Sequence, residues 1–146
     1  MKTTYNQVIK AFSDICDNHK QINSFYSLQT WEFQTKENVY PAVLLIPLPS
    51  TIQQGMTILS FELHVMDLLN KDSSNLNEIH SDTLQIANDI IAETAENEDD
   101  YGFTLNTEAI TATPFEESLD DRVAGWVITL DVEIENGLDD CNIPID

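Results

Sequence analysis

Two segments of this chain alternate apolar and polar residues with a strict period of two. In the first, Leu59, Phe61, Leu63 and Val65 are separated by Ser60, Glu62 and His64. In the second, Trp126, Ile128, Leu130, Val132 and Ile134 share the segment with Thr129, Asp131, Glu133 and Glu135. Successive side chains of a strand point to opposite faces, so each segment specifies a strand with one dry and one wet face. A helix would scatter the same residues around its circumference. Sheets that meet water on one side are usually antiparallel, and their dry side needs a cover.

Two amphipathic segments supply that cover. Residues 4–19 read as a helix with Thr4 as N-cap; Val8, Phe12 and Ile15 form its stripe, flanked by Ile9 and Cys16. Residues 74–96 read as a longer helix, with Leu76, Ile79, Thr83, Ile86 and Ile90 on one side. Further strands are expected at 29–34, at 41–47 between Pro41 and Pro47, and at 104–114. Loops are expected at 47–55, 96–102 and 116–122. The element order is then α-β-β-β-α-β-β. The fold class is α+β: a mostly antiparallel sheet of about four or five strands with two helices on one face. The opposite, wet face would carry Glu62, Asp131, Glu133 and Glu135.

A chain of 146 residues fits one domain. That domain is expected over residues 1–136. The tail, 137–146, reads equally well as a docking arm and as a frayed end.

Charge is distributed very unevenly. Residues 1–71 hold five Lys and six acids, and residues 72–146 hold Arg122 as the only Lys or Arg against twenty acids, which gives the net −20. Tight nucleic-acid binding rests on Lys and Arg displacing counterions, so such a surface repels phosphate backbones and anionic lipids. The chain is not expected to grip DNA, RNA or a membrane. It could form a wall beside nucleic acid to which nothing sticks. The first twelve residues, MKTTYNQVIKAF, lack the apolar core of a signal peptide, and the longest apolar run is Ala42–Ile46. Assembly in a cytoplasm is the expectation.

Signs of chemistry are sparse. Cys16 and Cys141 are far apart and form no CxxC; both are expected as reduced thiols. Cys16 and His19 could pair a thiol with a base, but Cys16 lies on the apolar stripe. His64 sits beside Glu62 on the wet face, and His80 lies on the second helix with Glu78 and Asp82 near it. No HExxH, GxGxxG or spaced calcium loop is present, although Glu98-Asp99-Asp100 and Asp120-Asp121 offer hard oxygens. No enzyme activity, cofactor or dedicated metal is expected.

The order of elements, with Thr4-Tyr-Asn-Gln-Val-Ile-Lys-Ala-Phe12, Ser81-Asp-Thr-Leu-Gln-Ile-Ala-Asn-Asp-Ile-Ile91 and Gly125-Trp-Val-Ile-Thr-Leu-Asp-Val-Glu-Ile-Glu135, resembles the tail-terminator and tail-completion (neck) proteins of tailed bacteriophages. The likeness is strongest to those of crAss-like phages and related Bacteroides prophages. It implies a structural virion subunit, assembled in the host cytoplasm. Copies would form a homo-oligomeric ring, on the order of six or twelve, next to portal, neck or tail-tube proteins. DNA would pass through the lumen without tight binding. Glu62, Asp99, Asp100, Asp120, Asp121, Asp131, Glu133 and Glu135 are then the candidate lumen or interface acids. Lys2, Lys10, Lys20, Lys36 and Lys71 could supply a complementary surface on the next copy. The competing reading is an acidic adaptor or DNA mimic that binds a basic partner.

Overall fold

The computed structural model describes residues 3–27, 39–108, 110–118 and 122–136. The elements run α1 (Tyr5–Asn18), β1 (Ser24–Tyr26), β2 (Ala42–Pro47), β3 (Thr51–Gln53), β4 (Met56–Leu68), α2 (Leu76–Glu96), α3 (Glu98–Tyr101), β5 (Thr104–Leu105), β6 (Ala112–Ser118) and β7 (Arg122–Glu135). The class is the α+β architecture read from the sequence; the described residues form a seven-stranded sheet, where four or five strands were expected, and three helices, where two were expected. The strand expected at 29–34, with Trp31, lies outside the described residues, as does the tail 137–146.

The two alternating segments form the centre of the sheet. β4 and β7 pair antiparallel along their whole length, from Met56 opposite Glu135 to Leu68 opposite Val123. That register sets Leu59, Phe61, Leu63 and Val65 beside Val132, Leu130, Ile128 and Trp126 on one face. α1 and α2 both cover this face. Val8, Phe12 and Ile15 of α1 and Ile86, Ala87 and Ile90 of α2 join the same buried cluster as Phe61, Leu63 and Leu130. Burying a side chain of this size is worth roughly 1.5–3 kcal/mol, so the interleaved layer is the main source of stability.

Both helices are held locally as well. Thr4 caps α1 through a reciprocal box: its Oγ1 accepts from the Gln7 amide at 3.3 Å, while its own N–H donates to Gln7 Oε1 at 2.8 Å. In α2 the buried hydroxyls of Thr83 and Thr94 donate to the Ile79 and Ile90 carbonyls at 2.6 and 2.7 Å, so neither is left unsatisfied.

β1 pairs parallel with β2, and the other four strands act as two interrupted ones. β2 and β3 both pair with the same edge of β4. Between Pro47, opposite Phe61, and Thr51, opposite Ile58, four residue steps match three on β4, so one extra residue bulges out. The segment expected as a plain loop at 47–55 therefore contains a short strand. It closes a hairpin at Gln54-Gly55, where Gly55 takes a φ of 86° that favours glycine. β5 and β6 share the far edge of β7. Seven steps from Leu105 to Ala112 face four from Val132 to Ile128, so three extra residues form an excursion. The single strand expected at 104–114 is thus two pieces, and Glu116, expected in a loop, pairs with Ala124 within β6. The turn expected at 96–102 contains α3, which Gly102 ends at φ 78°.

The back face of the sheet departs most from expectation. Ala42, Leu44, Ile46, Met66 and Val123 form a second buried cluster there, flanked by Tyr26, Tyr40 and Phe115. The face is dry at that end and wet only at the other.

A candidate acidic face and corner

The β4–β7 register decides where the acids of the two long strands go. Glu62 lies opposite Thr129, Ser60 opposite Asp131, Ile58 opposite Glu133 and Met56 opposite Glu135. All four acids project from the back face, as the alternation predicts, and follow one diagonal toward the end of β7. Two of them are tied down. Ser60 Oγ donates to Asp131 Oδ1 at 2.7 Å, and His64 Nε2 lies 3.2 Å from Glu62 Oε1. His64, expected as a surface residue or an interface contact, is half-buried on this face. Its side chain is only 16% exposed, and its ring packs against Phe115 with centroids 5.9 Å apart. It marks the border between the wet and dry ends.

At its far end the diagonal meets a second source of charge. Glu133 and Glu135 share an open groove of about 290 Å³ with Glu98 and Asp99 of α3, together with Thr3 and Thr104. Asp99 also borders a neighbouring groove of about 350 Å³, where Asp100 joins Asp14, Lys10 and Tyr101. Asp99 is therefore placed beside the strand acids by the α2–α3 corner, whereas Asp100 faces the groove along α1. Glu98 completes the group. The run Glu98-Asp99-Asp100 was visible in the sequence, but its proximity to Glu133 depends on a chain reversal that periodicity does not encode. Asp120 and Asp121 lie outside the described residues.

The corner concentrates negative charge at some cost to the helix. Glu93 and Glu96 sit in the last turn of α2, where no basic residue offsets the negative end of the helix dipole. The Tyr101 hydroxyl responds to its surroundings. Its pKa is pushed up, first by partial burial and then by Glu93, Asp14 and Asp100. Lys10 is engaged locally, 3.1 Å from Asp14 on an exposed helix face, and such a pair contributes little. Arg122 donates to the Lys71 carbonyl at 2.7 Å and to Ser73 Oγ at 3.1 Å, neutral acceptors both.

The other titratable groups form no reactive set. Cys16 is buried, and desolvation, with a smaller contribution from Asp17, pushes its thiol to about 12. His19 does not reach it as a base. Its Nδ1 accepts the Gln21 amide at 3.1 Å, and its Nε2 lies 2.8 Å from Asp89 Oδ2. The Gln21 bond leaves the ring proton on Nε2, so His19 fastens the end of α1 to α2. The His80 ring lies tilted against Trp126 with centroids 5.4 Å apart, while the Trp126 indole N–H donates to the His80 carbonyl at 2.8 Å. Among the described residues, no group of three or more His, Cys, Asp or Glu side chains is placed to hold a metal ion, and no helix is long and apolar enough to cross a membrane.

No protein-family model matches this chain, and no curated protein matches it. The geometry alone carries the functional argument.

Proposed function

We propose that the chain is a structural virion protein of the tail-terminator or neck-ring type. Copies assemble into a ring beside portal, neck or tail-tube proteins, and DNA passes through the lumen. The observation that supports this most is the continuous acidic surface. Glu62, Asp131, Glu133 and Glu135 lie on one sheet face, and Glu98 and Asp99 extend it around the corner. A wall of fixed carboxylates repels a polyanion at every position along its path, so the DNA slides; a basic wall would hold it by counterion release. A rigid antiparallel sheet suits this role because it keeps the charges in register.

The same acids would suit a DNA mimic, but the open, uncharged edge of β3, with Ile52 exposed on it, favours assembly over mimicry. The test is substitution of Glu133→Lys with Glu135→Lys in phage particles. Slowed or incomplete DNA ejection is expected. Normal ejection would remove this face as the lumen wall. If mass spectrometry of purified particles found no copy of the chain, the structural role itself would be excluded.

A further inference from the structure

One side chain clasps the β3–β4 hairpin to the end of β7. Asn136 directly follows Glu135, the last residue of β7. Its Nδ2 donates to the Gln53 carbonyl at 2.6 Å and to Thr57 Oγ1 at 3.0 Å. Its backbone N–H reaches the Gly55 carbonyl at 3.4 Å. The three partners lie on β3, on the turn and on β4. β3 is three exposed residues long and pairs with β4 alone among the described strands, so these bonds are a large part of what holds this end of the sheet together.

The side-chain clasp works through the amide nitrogen alone. Asn136 Oδ1 is buried and has no hydrogen-bond partner among the described residues. Replacing the NH2 group by an oxygen would therefore remove every bond the side chain makes. A carboxylate only accepts, and of the two Nδ2 partners only the Thr57 hydroxyl could turn to donate; the Gln53 carbonyl would face an oxygen anion.

The sequence supplies the chemistry for that replacement. Asn136 is the only Asn of the chain followed by Gly, the residue whose missing Cβ least hinders attack by its own backbone nitrogen. In that reaction the Gly137 nitrogen bonds to Asn136 Cγ, and Nδ2 leaves as ammonia with the Gly137 proton. Water then opens the cyclic imide to aspartate or isoaspartate. The attack needs the Asn136 side chain to rotate, and the bonds to Gln53 and Thr57 hold it still.

We propose that Asn136 is a modification site, a deamidation site that the closed hairpin protects and whose conversion releases the hairpin. The change runs one way: each opening exposes Cγ, and each conversion makes closing weaker. It stands apart from the ring reading and does not depend on it.

Peptide mass spectrometry on the full chain, incubated at mildly alkaline pH either folded or in guanidinium chloride, tests the protection. In denaturant, residue 136 should convert before every other Asn. In the folded chain it should convert at least about tenfold more slowly than in denaturant. Thr57→Val, which removes one acceptor of the clasp and is checked for folding by circular dichroism, should speed the folded reaction. Hydrogen exchange tests the consequence: in Asn136→Asp the hairpin amides should exchange about tenfold faster, the loss expected for two hydrogen bonds. Equal rates of conversion in folded and denatured chains, or a folded rate that Thr57→Val leaves unchanged, would overturn the protection. Unchanged hairpin exchange in Asn136→Asp would overturn the release.

Discussion

The two ends of the sheet's back face share the same strands and behave as different surfaces. At one end Ala42, Leu44 and Met66 are at most 2% exposed, under Tyr26, Tyr40 and Phe115. At the other end Ser60, Asp131, Glu133 and Glu135 meet solvent or an open groove. The difference comes from what lies alongside. β2 contributes Ala42, Leu44 and Ile46 to the first end. At the second end its place is taken by β3, which is exposed throughout. A face of a sheet is not uniformly wet or dry, and its charge can be confined to the part where function needs it.

That contrast can be broken most directly by exchanging character between the ends. Leu44→Asp puts an unpaired carboxylate into the dry end and should cost about 3 kcal/mol or more in urea unfolding. Glu133→Lys at the wet end should stay within about 0.5 kcal/mol. Similar losses at both sites would mean that the two ends are one surface. Gly125→Ala sharpens the picture of the dry end. A Cβ there would collide with the Val65 carbonyl of the paired strand, so a loss of about 1–3 kcal/mol is expected. An unchanged midpoint would show that the strands are not so closely apposed.

The smallest effect concerns a charge near the dry end. The Asp67 carboxyl is raised above its ordinary 3.8, chiefly by burial; Asp82 adds to this, and the Leu68 N–H opposes it. A raised folded pKa means that the folded chain binds the proton more tightly than the unfolded one. Ionised Asp67 therefore costs stability, absent below pH 3.8 and fully present above the folded pKa. Asp67→Asn should raise the neutral-pH unfolding midpoint and leave the low-pH midpoint unchanged. Equal gains at both would remove ionisation as the cause.

The parts legible in the sequence are those whose periodicity runs long. β4, β7, α1 and α2 each repeat their pattern over many residues, and their partners could be inferred from the dry faces they share. The acids Glu62, Asp131, Glu133 and Glu135 were legible for the same reason. The interruptions were not, because the bulge before Thr51 and the excursion after Leu105 exist only relative to β4 and β7. The dry end of the back face had a signal that pointed to it. Ala42–Ile46 is a continuous apolar run, as expected of a strand covered on both faces, and all five residues are buried. The approach of Glu98 and Asp99 to Glu133 had no local signal, since it depends on how α2 returns to the sheet.

Cryo-electron microscopy of phage particles carrying this chain tests the central claim most directly. The expected result is a ring at the neck or tail with Glu133 and Glu135 facing the DNA channel. A ring with that face turned outward, or particles without the chain, would contradict it.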